Sequence, residues 1–140
     1  MSEDANQIAN RLHSAAIHLL RAVAREDAKS GLSGPRLSAL SVVVFRGPLT
    51  LGELAAAEGV TPPTMTRTVQ ALEQAGLVRR REGADRRTTL ITPTSRGRQL
   101  LGRARKRRVD RLARALRELP AGELAGLDRA ATVIERVSHD

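Results

Sequence analysis

The amino-acid sequence predicts a mainly α-helical protein with one small β-hairpin. Three observations predict this fold class. Apolar residues recur at spacings of three and four along most of the chain, which is the pattern of amphipathic helices. Two adjoining segments near the middle of the chain both begin with helix-capping signals. The polar loop EGADRR lies between two stretches that can form strands, so a hairpin follows the second of these helices.

The first two helices are predicted over residues 5–28 and 35–46. Asp4 is the predicted N-cap of the first helix, and Gly31 is the predicted stop. The second helix ends at the Gly-Pro dipeptide that follows it. The apolar stripe of the first helix comprises Ile8, Leu12, Ala15, Leu19 and Val23.

The central pair of helices carries the clearest local signals. Thr50 and Glu53 have the spacing of a capping box, in which each side chain accepts a hydrogen bond from the other residue's backbone N–H. The short helix LGELAAAE follows and is broken at Gly59. Thr61 caps the next helix, whose first turn holds two prolines, and Gly76 closes it. A short helix, a glycine-containing turn and a second capped helix predict a helix-turn-helix.

Two strands are predicted directly after this motif, over residues 77–82 and 88–92. A β-hairpin in this position is a wing. A long helix then runs from Thr94 to about Leu119, and a last helix spans about 122–138. The apolar stripe of the last helix comprises Leu124, Leu127, Ala131, Ile134 and Val137.

The charge of the chain favours a polyanionic partner. The formal net charge is +9, and the isoelectric point is about 11.6. Lys29 and Lys106 are the only lysines, so 22 of the 24 basic residues are arginines. A GC-rich genome would explain arginine in place of lysine, but not the excess of positive over negative charge. Nucleic acid is therefore the first expectation for a partner, and a membrane surface the second.

The residue inventory argues against an enzyme. The chain has no cysteine, tyrosine or tryptophan and only three histidines, and it has neither a glycine-rich phosphate loop nor a Ser-His-Asp set in a supporting context. We expect no cofactor and no metal site, and thiol chemistry is excluded. The N-terminus is acidic and polar, and no apolar run is long enough to span a bilayer, so we expect a cytoplasmic protein.

The outward face of the second motif helix suits the major groove of DNA. With about 100° per residue, Pro63, Thr64, Arg67 and Gln70 lie opposite the apolar stripe. Arg67 has the fork that pairs with guanine O6 and N7, and Gln70 can pair with adenine N6 and N7. Thr64 can contact a thymine methyl or a phosphate, and Thr66 lies at the flank, near the DNA backbone. The alternative is an ordinary solvated helix face.

The loop of the hairpin places an aspartate before two arginines. We expect Arg87 to enter the minor groove, where narrow A·T tracts attract arginine, and Arg86 to contact phosphate. Asp85 can hydrogen-bond the Arg87 guanidinium and hold it outward. The alternative is that Asp85 only caps the turn, and both roles are compatible.

These motifs resemble the multiple-antibiotic-resistance regulator (MarR) family. The family shows a Ser/Thr-Pro start and a Ser/Thr-Arg pair in its recognition helix, then Leu-Glu-x-x-Gly-Leu-Val, an Asp-x-Arg wing and Leu-Thr-x-x-Gly. The matching residues here are Thr61-Pro62, Met65-Thr66-Arg67, Leu72-Glu73, Gly76-Leu77-Val78, Asp85-Arg86-Arg87 and Thr94 to Gly97. The resemblance implies a bacterial transcription regulator, most often a repressor, with a winged helix-turn-helix fold.

The resemblance also implies a homodimer. Within a single domain of residues 1–140, the dimerisation helices would lie in 5–30 and 95–140, and the DNA-binding region in 35–93. Two-fold symmetry implies a pseudo-palindromic operator with half-sites roughly 34 Å apart. Relatives commonly bind small anionic or phenolic ligands, for which His13 and His18 are weak candidates here; isolated histidines are more often surface or interface residues.

Two other functions stay open at the level of sequence. The basic charge also fits an architectural or weakly specific DNA-binding protein. Less favoured is a winged helix that contacts another protein, which predicts no steep fall of DNA binding with salt.

Overall fold

Six α-helices and a three-stranded antiparallel sheet make up the computed structural model, which describes residues 2–139. The helices are α1 (Ser2–Ala24), α2 (Gly34–Arg46), α3 (Leu51–Glu58), α4 (Pro62–Gln74), α5 (Ser95–Arg117) and α6 (Ala121–Ser138). The strands are β1 (Leu49–Thr50), β2 (Val78–Glu82) and β3 (Thr89–Pro93). A 3₁₀ segment, Arg25–Ser30, connects α1 to the loop before α2. The mainly α class and the winged helix-turn-helix are as predicted.

Two sequence predictions for the first helix are wrong. The α-helix begins at Ser2, so Asp4 lies inside its first turn and does not cap it. The regular α-helix ends at Ala24, earlier than predicted, and the chain continues as the tighter 3₁₀ segment, a common way for α-helices to end. Gly31 ends this segment in the left-handed conformation, with φ of 79°, which glycine adopts at little cost.

The sheet has one strand more than the hairpin predicted from the sequence. β3 lies in the centre, with β2 on one side and the two-residue β1 on the other. Ile91 is opposite Leu49 of β1 and Arg80 of β2. A two-residue strand has no periodicity of its own, which is why the sequence pattern did not predict it. β2, β3 and the loop 83–88 form the wing.

The capping signals of the helix-turn-helix are largely confirmed. The Thr50 hydroxyl accepts a hydrogen bond from the Glu53 backbone N–H at 3.1 Å. The Glu53 carboxylate accepts from the Thr50 hydroxyl at 3.0 Å and not from the backbone N–H, so the predicted return bond is wrong in its donor. Thr61 accepts from the N–H of Thr64 at 3.4 Å, and prolines occupy the first turn of α4 as predicted.

One core holds the winged region together. It lies between α2, α3, α4 and the sheet, and α5 packs on its edge. Met65, Val69 and Leu72 form the buried stripe of α4, as predicted. The largest fully buried side chains are Leu40, Leu54, Met65, Leu72, Leu77, Ile91, Val43 and Val69.

The start of α5 is fastened to the end of α4. The Thr94 hydroxyl donates to the Gly76 carbonyl at 2.6 Å and accepts from the Gly97 N–H at 3.1 Å. A Cβ at Gly97 would lie 2.1 Å from the Leu77 carbonyl oxygen, so no other residue fits without a shift of the backbone. The residues that follow α4 and the first turn of α5 are therefore held together by hydrogen bonds and close backbone packing.

The terminal helices, α1 and α6, stand in sharp contrast to this core. α6 has no buried residue, and Val23 is the only residue of α1 in the buried core among those described. The exposed large apolar side chains on these two helices are Ile8, Leu12, Ile17, Leu19, Leu20, Leu124, Leu127, Val133, Ile134 and Val137. No helix in the described part of the chain has the length and apolar character needed to cross a membrane.

Candidate nucleic-acid interface

The residues of α4 expected to face DNA lie on its solvent-exposed side, where the Thr64 hydroxyl accepts a hydrogen bond from the Thr61 hydroxyl at 3.0 Å. Pro63, Thr64, Arg67 and Gln70 are all exposed. Within residues 2–139 the side chains of Arg67 and Gln70 form no hydrogen bond or ion pair, so their donors and acceptors face solvent. The buried stripe on the other side fixes the rotation of the helix, and this fixes which side chains point outward.

Thr66 differs from these neighbours. Its side chain is half-buried, and its hydroxyl donates to the Pro62 carbonyl one turn earlier at 2.9 Å. That bond satisfies a hydroxyl which the sequence analysis assigned to the DNA backbone. Arg67 and Gln70 lie on the same face without such a bond.

The wing tip is a tight, hydrogen-bonded turn. The N–H of Gly83 donates to the Thr88 carbonyl at 2.8 Å, and the N–H of Thr88 donates to the Asp85 carbonyl at 2.9 Å. The Asp85 carboxylate accepts from the backbone N–H of Arg87 at 3.1 Å. Of the two roles considered for Asp85, the structure contains the turn cap; a contact with the Arg87 guanidinium is not formed in the part of the chain described. The side chains of Arg86 and Arg87 are exposed.

The wing and the recognition helix are tied to each other. The Arg80 Nε of β2 lies 2.7 Å from Oε1 of Glu73 on α4. Because side chains alternate along a strand, Arg79 and Arg81 point to the other face of β2. Neither is paired with an acid among the residues that the structure describes, so both add uncompensated positive charge to the wing.

A cavity of about 360 Å³ lies between α2, α5 and the 3₁₀ segment. Its lining is mainly apolar, with polar groups at the α5 side and along α2. It includes Asp27, Leu37, Ser38, Phe45, Arg105 and Arg108. Phe45, the only aromatic residue of the chain, is 70% exposed at its rim.

Two polar side chains that line this cavity are hydrogen-bonded to acidic residues. Asp27 accepts two hydrogen bonds from the Arg108 guanidinium, one at 2.7 Å from Nε and one from Nη2. These bonds raise the pKa of Arg108 above its usual range. The Ser38 hydroxyl lies 2.9 Å from one carboxylate oxygen of Glu58, at the end of α3. The cavity wall is thus connected to both α5 and the helix-turn-helix.

No pattern in the sequence predicted this cavity. His13 and His18, its weak ligand candidates, are exposed on α1 and do not line it. Arg105 and Arg108 lie in the basic stretch RARKRR, residues 103–108 of α5, whereas Asp27 precedes Arg108 by 81 residues. Only the tertiary fold brings the two together.

The fold and the arginine-bearing surface place this chain in the class of winged helix-turn-helix transcription regulators. The sequence pattern of the MarR family matches residues 30–88. An HTH-type transcriptional regulator of Mycobacterium leprae is 33% identical over 129 residues, which are 91% of this chain and 90% of that protein. The chain belongs to the MarR family, as the motifs predicted.

Solved structures agree with this membership. Rv1404 from Mycobacterium tuberculosis superposes with a TM-score of 0.78 at 28% identity, covering 96% of this chain and 94% of that one. The MarR family protein Rv2887 of Mycobacterium tuberculosis, in complex with p-aminosalicylic acid, gives a TM-score of 0.65 at 28% identity. That match covers 91% of this chain and 97% of the other.

Proposed function

We propose that this chain is a ligand-responsive repressor that binds a pseudo-palindromic operator as a homodimer. The observation that carries the proposal is the pairing of two surfaces: an arginine-bearing face on α4 and the wing, and an apolar face on the terminal helices. The first suits a duplex, and the second suits another copy of the chain.

The apolar side chains of α1 and α6 support the homodimer. Ile8 is 61% exposed and Val137 is 58% exposed in the single chain. Burying one such side chain is favourable by about 1.5–3 kcal/mol, and α1 and α6 together expose several of them. A symmetric partner contributes the same face twice, so both copies lose this exposed surface at once.

The exposed side chains of α4 and the wing support sequence-specific reading of DNA. Arg67 and Gln70 present the two side chains that recognise guanine and adenine in the major groove. In this proposal Pro63 and Thr64 approach the same groove, Thr66 lies at the flank, and Arg86 and Arg87 reach the adjoining backbone and minor groove. Asp85 shapes the turn that presents these arginines.

The cavity beside the 3₁₀ segment supports the ligand response. Its volume of about 360 Å³ lies at the small end of the roughly 300–1,000 Å³ typical of ligand pockets and suits a single aromatic ring. Arg105 supplies positive charge, Arg108 supplies a guanidinium that is paired with Asp27, and Phe45 supplies an aromatic rim. A small anionic or phenolic compound fits this chemistry, and the related Rv2887 structure is a complex with p-aminosalicylic acid.

Selection of bound fragments from genomic DNA tests the proposal. The full-length protein is mixed with sheared DNA at fixed salt, and bound fragments are sequenced with and without salicylate. A repressor of this kind enriches an inverted repeat by at least about 10³ over random DNA, and salicylate lowers the enrichment. Uniform recovery of fragments would favour the architectural alternative. Binding that does not fall with rising salt would favour a protein partner instead.

A further inference from the structure

The ion pair between Asp27 and Arg108 is the most specific polar contact of the cavity. It joins the 3₁₀ segment to α5, and its geometry is the bidentate fork that arginine forms with any carboxylate. Asp27 is the more buried partner: its side chain is 15% exposed, against 38% for Arg108. The guanidinium is therefore paired with an internal carboxylate, and Arg108 is also one of the residues that line the cavity.

The polar groups of the cavity differ in their availability. Arg108 is held by Asp27, and the Ser38 hydroxyl is held by Glu58. Arg105 forms no ion pair within the described residues and is exposed at the rim. An entering anion meets Arg105 freely, but it reaches Arg108 only in competition with Asp27.

We propose that Asp27 is an internal carboxylate that masks the anion-binding guanidinium of Arg108, and that a ligand carboxylate exchanges with it. This inference rests on the proposed ligand response and adds its first step, the exchange of one carboxylate for another on Arg108. Exchange breaks the hydrogen bonds between Asp27 of the 3₁₀ segment and Arg108 of α5. The segment connects α1, a terminal helix, with the winged region, so loss of these bonds changes how the two recognition helices of a dimer are held.

The neighbouring contacts of the segment make Asp27 the decisive one. Glu26 is held by Lys29 of the same segment at 2.8 Å, and its distance to Arg111 of α5 is 4.0 Å. The hydrogen bond from Lys29 is also the main reason that the pKa of Glu26 lies below its usual value. Of the two acids, only Asp27 makes close, directed hydrogen bonds to α5. By linkage, the ligand weakens this contact as much as the contact weakens ligand binding.

Titration of four proteins with salicylate tests the inference: the wild type, Asp27→Asn, Arg108→Gln and the control Glu26→Gln. Calorimetry measures ligand affinity, and operator binding is measured with and without saturating salicylate. Asp27→Asn is expected to bind salicylate about tenfold tighter, because its amide competes less well for the guanidinium. The same variant is expected to lose most of the salicylate effect on operator affinity. Arg108→Gln should lose ligand binding, and Glu26→Gln should resemble the wild type.

The outcomes separate this inference from the proposed function. If the wild type binds salicylate and Asp27→Asn binds it no tighter, or still releases the operator fully, masking by Asp27 is wrong while the ligand response stands. If only Asp27→Asn binds salicylate, and Arg108→Gln in that background abolishes it, masking is supported and the wild-type response to this compound fails. If neither binds, both are wrong. A thermal melt confirms folding, and Asp27→Ser is the second variant if Asp27→Asn unfolds.

Discussion

The winged region and the terminal helices carry the same kind of apolar stripe, but only one of them buries it within the chain. On α4, Met65, Val69 and Leu72 are almost completely shielded from water. On α6, Leu127 and Ile134 recur at equivalent helical spacings and are 45% and 38% exposed. The contrast shows that the winged region buries its apolar residues within one chain, whereas the terminal helices leave most of theirs exposed.

The largest effect expected from this contrast comes from charging the apolar face of α6. Leu127→Asp with Ile134→Asp should convert the proposed dimer to a monomer, because two carboxylates would be buried without partners. Each half-site would then be bound alone, and operator affinity should fall by roughly 10²–10⁴-fold, the usual gain from linking two sites. Light scattering reports the oligomeric state, and fluorescence anisotropy with labelled operator reports affinity.

Thr132→Asp is the matched control for this variant. Thr132 is exposed on the polar side of α6, and its hydroxyl donates a hydrogen bond to the Asp128 carbonyl of the same helix. It adds one carboxylate and should leave both mass and affinity unchanged. A dimer that survives the double substitution would show that the exposed stripe of α6 is not the contact between copies.

The second-largest effect is expected when one buried side chain is truncated, compared with truncation of an exposed side chain of the same size. Leu72→Ala should lower the free energy of unfolding by about 2–5 kcal/mol, because it leaves a cavity in the winged core. Ile8→Ala should cost far less at concentrations where the chain is monomeric. Chemical denaturation over a range of protein concentrations measures both. If Ile8→Ala costs as much at high dilution as Leu72→Ala, α1 is stabilised within its own chain and not by a second copy.

Sequence patterns identified the winged region well because its signals are local. A threonine at the N-cap, prolines in the first turn and a left-handed glycine each act within a few residues, as at Thr61, the start of α4 and Gly76. The two-residue β1 was missed because it is defined by its pairing with β3 and not by its own pattern. The helix stripes predicted which faces are apolar, but not what covers them.

The cavity was missed for a different reason. Its ion pair joins Asp27 and Arg108, and neither residue has a local pattern that distinguishes it from the other charges nearby. The sequence contains 22 arginines, so an arginine in a helical run is not by itself a signal. Pairing at long range depends on how α5 packs against the 3₁₀ segment, which composition and periodicity do not encode.

A third prediction separates base reading from dimerisation. Arg67→Ala should weaken operator binding by roughly 1–3 kcal/mol and relax the preference at one base pair, without changing the oligomeric state. Arg67→Lys is the matched variant, because it keeps the charge and loses the two-pronged fork. It should retain affinity for random DNA and lose discrimination. Competition binding against single-base operator variants measures this. An equal loss on operator and random DNA would make Arg67 a phosphate contact.

The smallest effect is expected at the wing tip, where the backbone is fixed but the side chains are free. The Asp85 cap holds the turn at the backbone N–H of Arg87, and the guanidinium is left to reach a groove. Arg87→Ala should reduce affinity by about 1 kcal/mol or less on G·C-flanked operators and by more on A·T-rich flanks, where the narrow minor groove strengthens its negative potential.

Arg86→Ala, with an expected phosphate contact, should weaken binding equally on both. Operators that differ only in their flanks, measured at one salt concentration, distinguish the two arginines. If Arg87→Ala also shows no dependence on the flanks, the wing contributes charge alone, and base and shape reading rest entirely on α4.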